Sequence, residues 1–467
     1  MEKIKSKKGL ILYGCSGLGV NMLNIIVGTY LCSALLTGGF KDHIESWTYL
    51  NKDLVVAALW GVLVFLAKAL DGIIDLPLAT FADKISTKFG RRKTAIVIGI
   101  IPMLVSYLLF LVPITPFESI ANTIWFGFLL CMFYSCYTLT MLTYYATFSE
   151  VCETQKETNL LSTTKSICDV VYYSLGFALL PVFVSLGINI RIVALIFLPM
   201  VLSMLIPFFM LKENKQDGAD EKQTEPLTLT KSLSVSFKNG TYIYWLCTAF
   251  VMTMGLQLFL GGINELFSST GLNMTVVMAS SFAPVPFTLI VYNSIMKKHG
   301  FANAYRYSLV IFALGMIIMY ICNVCSPYMS ELQLTLVAMF GGIFVSFALG
   351  AFFSVSYTIP TNLAKKELDE KGHDVASMYF AVQGLFEGIA AGVATGLILV
   401  ALKDNNVISW LPIIVSICCG IAFAMSFAFS KHLASMGKVH SVAATQVTET
   451  EVIEEVAVTV DNEEKEV

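Results

Sequence analysis

Charged residues are scarce in this 467-residue chain, at 13% of the sequence, where soluble domains carry about 25%. Histidine is also rare, with five in total. The eleven cysteines lie mostly inside apolar runs, where a free thiol behaves as a small apolar group. Cys322 and Cys325 form a single C-x-x-C without the second pair that a zinc site needs. We therefore expect neither an ordinary soluble domain, nor a disulfide framework, nor a metal site.

Apolar residues make up 56% of the chain, and its mean hydropathy is +0.73. They are grouped in runs of the length that crosses a bilayer, about 20 residues. The sequence therefore predicts an all-α polytopic membrane protein with twelve transmembrane helices. The predicted spans are approximately 9–36, 54–81, 94–113, 119–147, 161–186, 190–211, 240–267, 273–296, 303–324, 332–358, 374–402 and 408–430.

The longest polar connection between spans divides them six and six. This predicts an N-terminal six-helix bundle at 1–211, a cytoplasmic linker at 212–239 and a C-terminal six-helix bundle at 240–432. The remaining segment, 433–467, is acidic and lacks aromatic residues. Such a composition predicts a disordered, solvated tail.

The positive charges are distributed unevenly between the predicted loops. With the N-terminus inside, 24 of the 30 Lys and Arg residues fall on the cytoplasmic side and four on the outside. Cytoplasmic loops collect Lys and Arg in multi-pass proteins. We therefore expect a multi-pass protein of the cell membrane with both termini in the cytoplasm.

Three charged residues lie inside the second predicted span, at Lys68, Asp71 and Asp75. At about 100° per residue they fall within an arc of ~60°, and both carboxylates lie near the middle of the bilayer. A charge at that depth costs at least about 2.5 kcal/mol, so it needs a reason. A structural ion pair of Lys68 with Asp71 would leave Asp75 unexplained. We favour a cation site, because two carboxylates one turn apart provide hard oxygen ligands or a place to share a proton.

Four further charges lie within predicted spans. Lys165 and Asp169 are spaced i,i+4, so they either neutralise each other or belong to a substrate site. Glu265 lies near the outer end of the seventh span, where we expect it to reach water. Glu387 lies in the middle of the eleventh span with no charged partner on its own helix. We therefore expect Glu387 to contact substrate and to be a candidate proton carrier.

The segment DGIIDLPLATFADKISTKFGRRK, residues 71–93, resembles the signature of the glycoside–pentoside–hexuronide:cation symporters of the major facilitator superfamily. That signature joins a D-x-x-x-D pair to a D-[KR]-x(5)-G-R-R loop. The loop positions are filled here by Asp83, Lys84, Gly90, Arg91 and Arg92. The resemblance covers essentially the whole chain. It implies the major facilitator fold and sugar or glycoside:cation symport by alternating access of two halves around a midplane site.

The resemblance also implies a cation site made of Asp71, Asp75 and Thr138. Ile74 stands where the family has an asparagine between the carboxylates, which favours a proton over sodium as the coupling ion. At the cytoplasmic end of the second span we expect Asp83, Arg91 and Arg92 to govern gating. The alternative is that the arginines are ordinary positive charges of a short loop.

For the substrate site, the family's sugar-binding positions fall on Asn21, Tyr145, Lys165 and Tyr357. We add Lys68 and Glu387, so that both halves contribute polar groups. Two family aspartates are replaced, one by Asn21 and one by Met141. Galactoside recognition is therefore not implied.

Other functions stay open from the sequence. A carrier for a non-sugar solute, including proton-driven efflux, fits the apolar Met141 and Ile74. A non-transporting sensor on the same fold is a further alternative. An intramembrane aspartyl protease is disfavoured, because it needs aspartates from two helices. We expect a non-enzymatic monomer in the lipid bilayer that binds a small-molecule solute and no nucleic acid. It should need no cofactor beyond its coupling ion, H⁺ or Na⁺.

Overall fold

The structure is a computed structural model, and it describes residues 4, 6–84, 90–152, 155–211, 237–270, 274–371 and 376–432. The described residues form helices joined by connections and contain no β-strand. Twelve long helices stand out among them, which we number α1 to α12. Their bounds are Lys7–Leu35, Ala57–Lys84, Arg91–Phe110, Ile120–Ala146, 155–185, Ile190–Met210, Gly240–Thr270, 274–299, Phe301–Cys325, Glu331–Lys371, 376–404 and Leu411–Ala428.

Eleven of these helices are long and apolar enough to cross a membrane, counted over the described residues. The exception is α5, whose apolar part is limited to Val171–Ser185 because its first half is polar. The predicted fold class, an all-α polytopic membrane protein with twelve transmembrane helices, is confirmed.

The helix α10 differs most from its predicted span of 332–358, because it continues to Lys371. Its additional turns are rich in charged residues, and Pro360 lies inside the helix. Hydropathy falls where an apolar run ends, whereas main-chain hydrogen bonding can continue into water. The apolar pattern therefore locates the membrane crossing but not the end of the helix.

The first six helices pack mainly on one another, and so do the last six. Contacts between the two groups are made by α2 with α11, by α5 with α8 and by α1 with α7. The predicted bundle boundary at 212–239 stays a prediction, because 212–236 lie outside the described residues.

The helices α2 and α11 approach each other more closely than side chains would allow. A Cβ atom added at Gly61 would lie 2.4 Å from the carbonyl oxygen of Gly396, and one at Gly72 would lie 2.7 Å from that of Gly384. At Gly388 it would lie 2.8 Å from the carbonyl oxygen of Lys68. Small residues allow helix backbones in membranes to pack in this way. The glycines therefore hold the two groups of helices together along α2 and α11.

Three helices at this interface contain π-helical segments, which often mark functional positions in helices. These segments are Ile26–Leu31 in α1, Leu175–Leu179 in α5 and Val393–Leu399 in α11. The hydroxyl of Tyr30 donates to the carbonyl of Gly176 at 2.6 Å, so a side chain of one π segment satisfies the backbone of another.

We call the end of the structure where α1 begins the near end, and the opposite end the far end. At the far end, hydrogen bonds join the two groups: Ser33 contacts Glu265 and Lys403, and the backbone of Lys41 and Asp42 contacts Ser268. Phe177 and Phe282 also stack across the interface there, with ring centroids 4.6 Å apart. The two groups of helices are therefore joined at the far end.

The α2–α11 contact predicts that Gly396→Ala destabilises the protein. Its Cβ would lie 2.5 Å from the amide nitrogen of Phe65 and 2.6 Å from the carbonyl oxygen of Gly61. Overpacking of this kind costs typically 1–3 kcal/mol. Thermal unfolding in detergent should therefore show a lower midpoint than the wild type.

The matched control is Gly420→Ala in α12, where an added Cβ has no atom within 4 Å. It should leave the midpoint unchanged or raise it slightly, since alanine favours helix over glycine. Equal shifts in both variants would contradict the close packing of α2 on α11.

Candidate functional site

One face of α4 carries much of the candidate site. Tyr134, Tyr137, Thr138, Met141 and Tyr145 are spaced by three or four residues, apart from the adjacent pair Tyr137 and Thr138, which places them along one side of the helix. Their polar groups contact α1, α2 and α5 in turn. The helix therefore organises the first half of the site.

The centre of this face is a contact between a hydroxyl and a carboxylate. Thr138 donates from Oγ1 to Oδ1 of Asp71 at 2.6 Å, joining α4 to α2. These oxygens, from two helices, are hard ligands of the kind that small cations take. The sequence prediction that Asp71 and Thr138 act together is consistent with this distance. Asp75 follows one turn later on α2, but its side chain lies outside the described part of the chain.

Lys68 does not neutralise Asp71 by direct contact. Its ammonium lies over the ring of Tyr134, 4.1 Å from the centroid. Lys68 and Asp71 both belong to the described residues, and no ion pair within 4.0 Å joins them. The alternative interpretation of this helix as a structural ion pair of Lys68 with Asp71 is therefore not observed.

The backbone of α1 covers this cation–aromatic contact at Gly28. A Cβ added there would lie 2.8 Å from the hydroxyl of Tyr134 and 3.7 Å from Nζ of Lys68. The Tyr134 hydroxyl is buried and has no hydrogen-bond partner among the described residues. A buried hydroxyl without a partner is costly, so this position is suited to a polar ligand or a water molecule.

Asn21 is tied to the same helix. The hydroxyl of Tyr137 donates to Oδ1 of Asn21 at 2.8 Å, and Asn21 is buried. The residue therefore lies on the α4 face predicted to bind substrate, with its amide oriented by a tyrosine that the sequence analysis did not single out. The helical spacing of Tyr134 and Tyr137 from Thr138 is the signal that could have identified them.

Lys165 forms an ion pair within its own helix, with Nζ 2.5 Å from Oδ2 of Asp169. Its ammonium also lies 5.1 Å from the ring centroid of Tyr145 on α4. Both charged side chains remain about a fifth to a quarter exposed. The i,i+4 interpretation is therefore observed, and a ligand here would meet a compensated pair beside an aromatic ring.

Glu387 belongs to a separate set of contacts in the second half. Gln383 donates from Nε2 to Oε1 of Glu387 at 2.7 Å, and Trp245 of α7 donates to Oε1 of Gln383 at 2.7 Å. No cationic group pairs with Glu387 among the described residues, and Lys165 does not reach it. The neighbouring Gly388 packs on the backbone of Lys68, so Glu387 lies next to the α2 turn that carries Asp71.

Several predicted residues cannot be placed in these contacts. The side chains of Asp75, Asp83, Arg91 and Tyr357 lie outside the described part of the chain, although each backbone position falls within a helix. Arg92 lies in the first turn of α3, at the near end. The roles predicted for these residues stay predictions.

A buried ion pair lies at the far end. Lys403 of α11 lies 2.9 Å from Oε1 of Glu265 of α7, and the two side chains are 2% and 0% exposed. The same ammonium donates to the carbonyl and the hydroxyl of Ser33 in α1, at 2.8 and 2.7 Å. The Ser33 hydroxyl in turn contacts the Glu265 carboxylate. We call these three residues the far-end lock.

The expectation that Glu265 reaches water was wrong, because its side chain is buried together with that of Lys403. The connection between α1 and α2 folds over both residues. A Cβ at Gly38 would lie 2.3 Å from the carbonyl oxygen of Lys403, and Gly39, at φ +88°, would place one 3.1 Å from Cβ of Glu265. The partners of the lock are far apart in the sequence, so no local pattern reveals them.

Beneath the lock lies a small cavity of about 30 Å³ between α1, α2, α7 and α11. A volume of this size holds one or two water molecules. The wall includes residues of both groups of helices, among them Gly28, Cys32, Trp60, Gly261, Thr395 and Lys403. The cavity therefore lies on the interface between the two groups of helices.

The twelve helices and the polar contacts between them define a polytopic α-helical membrane protein. The family model described as "MFS/sugar transport protein" matches residues 12–404, and the chain belongs to this family. No curated protein sequence matches the chain.

Two solved structures with the same fold illustrate the architecture. The nucleoside transporter NupG superposes with a TM-score of 0.62 at 16% identity, over 92% of this chain and 99% of that one. A bacterial homologue of the human lysosomal transporter Spinster, in an inward-facing and unoccupied conformation, superposes with a TM-score of 0.58 at 14% identity. The match covers 92% of this chain and 99% of that one. At such identities the likeness shows the fold alone.

The contact of Thr138 with Asp71 predicts that Thr138→Val weakens cation binding roughly tenfold, because a hydrogen bond to a charged group contributes about 1.5–3 kcal/mol. The measurement is the thermal-unfolding midpoint, titrated with Na⁺ at constant ionic strength and, separately, with pH.

The matched control is Thr143→Val on the same helix, whose hydroxyl donates only to the carbonyl of Leu139 at 2.7 Å. It should keep the wild-type titration. Identical titrations for the two variants, or no cation response in the wild type, would argue against a cation site at Asp71.

Proposed function

We propose that the protein is a sugar or glycoside:cation symporter that works by alternating access. The observation that carries this proposal is the Thr138–Asp71 contact at the centre of the α4 face, where no basic side chain of the described residues forms an ion pair with the carboxylate. A carboxylate inside a membrane protein without a paired cation is costly. Binding Na⁺ or H⁺ removes that cost. Asp75, one turn further on α2, provides the second carboxylate of the proposed cation site.

The surroundings support a neutral, polyhydroxylated substrate. The ion pair of Lys165 with Asp169 beside Tyr145 is internally compensated, so this part of the site offers hydrogen bonds and aromatic surface rather than net charge. Sites of this kind fix orientation with a few polar groups on an apolar wall. The proposed substrate contacts are Asn21, Lys68, Tyr145, Lys165, Tyr357 and Glu387.

Coupling between ion and substrate would pass through α2 and α11. Gly72, next to Asp71, packs on the backbone of Gly384 in α11. Gly388, next to Glu387, packs on the backbone of Lys68 and Gly72 in α2. A small displacement of α2 on ion binding would therefore move the turn of α11 that carries Glu387. This arrangement lets the two halves respond to one binding event.

Alternating access requires two closed ends that open in turn. The far-end lock holds the far end closed, and the Lys and Arg distribution favours this end as the extracellular one. On this proposal both termini are cytoplasmic in the cell membrane. Asp83, Arg91 and Arg92 would hold the near end when the lock is open, through ionic contacts that break on opening.

A carrier for a non-sugar solute is the second candidate. The observation in its favour is Met141, which is buried on the α4 face and would lie 3.0 Å from a Cβ added at Gly17. This makes part of the first-half wall apolar. A ligand screen separates the two candidates, because a ligand at 100 times its dissociation constant adds about 2.7 kcal/mol to the free energy of unfolding. Sugars, nucleosides and organic acids should be tested with and without Na⁺.

The function predicts that Asp71→Asn and Asp75→Asn each abolish ion-driven accumulation, because a neutral amide lacks the negative charge that balances the bound cation. The measurement is uptake of the screened ligand into proteoliposomes under a Na⁺ or pH gradient, with protein insertion verified in each preparation. Asp404→Asn, at an exposed aspartate after Lys403, is the control and should accumulate ligand as the wild type does.

Full accumulation by either variant would exclude the proposed cation site. Ligand binding by the wild type without counterflow exchange would instead identify a sensor. Exchange without ion-driven accumulation in the wild type would leave a uniporter.

A further inference from the structure

A groove of about 530 Å³ lies between α9 and α12, on the outside of the helix bundle and apart from the candidate transport site. Its polar mouth is at the near end, because Arg306 lies in the second turn of α9 and Phe427 in the last turn of α12. From there the groove follows apolar side chains toward the middle of the helices. Its wall includes Asn303, Arg306, Tyr307, Val310, Phe423 and Phe427.

Arg306 is fixed in this mouth by three contacts. Its Nε donates to Oγ of Ser426 at 3.0 Å, and Nη2 donates to the carbonyl of Ser426 at 2.8 Å. The guanidinium plane lies over Phe427, 4.0 Å from the ring centroid. Two of the five N–H groups of an arginine are thereby used. The other three have no partner within the described part of the chain, so they are available to an acceptor.

The two chain segments that form the groove carry basic residues but no acidic ones. Neither 297–330 nor 405–448 contains an Asp or Glu. Basic residues precede α9 and follow α12 in the chain, namely Lys298, His299, Lys431 and His432. An arginine near a membrane surface that has no acidic neighbour in its own segment or in the facing one is complementary to an anion, and guanidinium geometry matches a phosphate.

We propose that this groove binds an anionic phospholipid. Its phosphate accepts hydrogen bonds from Arg306, and one acyl chain follows Val310, Phe423 and Phe427. These three side chains are partly or largely exposed, as a lipid-facing surface requires. A free phosphate would leave that apolar surface unused. The near end is also the predicted cytoplasmic side, where anionic lipids attract basic segments.

The test is thermal unfolding of delipidated protein in detergent, titrated with phosphatidylglycerol or with phosphatidylcholine of the same chains. Phosphatidylglycerol should raise the midpoint of the wild type at lower concentration than phosphatidylcholine does. Arg306→Ala should bind phosphatidylglycerol roughly tenfold more weakly, because charge-assisted hydrogen bonds are lost. Arg191→Ala is the matched control. It removes another arginine that stacks on an aromatic ring, Tyr49 at 5.3 Å, at the far end, and should keep the wild-type titration.

Two further variants keep the test decisive if Arg306→Ala fails to fold. Asn303→Asp preserves both hydrogen bonds of Arg306 while placing a negative charge at the mouth, and should also weaken phosphatidylglycerol binding. Val310→Trp fills the apolar part of the groove and should weaken the binding of both lipids. Native mass spectrometry of the same samples counts the lipids bound.

Three results would overturn the proposal. Equal titration by the two lipids in the wild type would show a groove without headgroup selectivity. An unchanged phosphatidylglycerol response in the Arg306 and Asn303 variants would exclude Arg306 as the binding group. If inorganic phosphate raised the unfolding midpoint as strongly as phosphatidylglycerol does, the site would bind an anion without involving a lipid.

Discussion

The buried ion pair of Lys403 with Glu265 is the interaction on which the observed arrangement of the helices depends. Each ion removed from water costs several kcal/mol, and the cost is offset only when geometry and additional hydrogen bonds are good. Here the ammonium has three hydrogen bonds, and its partners come from α1 and α7 while it belongs to α11. Both ions belong to the second group of helices, so the pair reaches the first group through Ser33, and its hydrogen bonds to Ser33 can exist only when the two groups are together at the far end. It therefore ties a local electrostatic requirement to the global state of the protein.

The need to offset the cost of removing ions from water also shapes the interior of the first half. The charged side chains described there have local partners: Lys68 lies on an aromatic ring, Lys165 pairs with Asp169, and Asp71 accepts from Thr138. Only the last arrangement leaves a carboxylate without a cation among these described contacts. This asymmetry singles out the Asp71 region for ion binding, and the glycine contacts of α2 with α11 carry its consequences to the second half.

Much of this architecture could be predicted from the sequence because hydropathy acts locally. Apolar runs located the helices, and the α2 signature together with the family resemblance paired Asp71 with Thr138 before any distance was known. The lock could not be predicted in the same way. Glu265 and Lys403 each stand near the end of an apolar run, where exposure to water is the usual outcome. Their burial results from a connection that folds over them, a tertiary event with no periodic signal.

The i,i+4 spacing of Lys165 and Asp169 illustrates a different limit. The spacing alone was compatible with mutual neutralisation or with a substrate site, and the structure shows the pair formed while still partly exposed. Spacing along a helix determines which side chains can contact each other, whereas the role of such a pair also depends on the side chains that other helices bring to it. The second-half contacts of Glu387 with Gln383 and Trp245 show this most clearly, since the tryptophan comes from a distant helix.

The central claim is that the far-end lock holds the far end closed, and Cys32 is a native reporter of it. This thiol lines the cavity beneath Lys403 and is 9% exposed. The direct measurement is the labelling rate of a variant that keeps Cys32 as its sole cysteine, by a membrane-impermeant maleimide applied to the far side of reconstituted vesicles. The neutral pair Lys403→Met with Glu265→Gln should raise the rate at least about tenfold, the change expected when the closed state loses 1.4 kcal/mol. Lys52→Met, an exposed lysine of the same connection, should leave the rate unchanged. A wild-type rate in the neutral-pair variant would contradict the account.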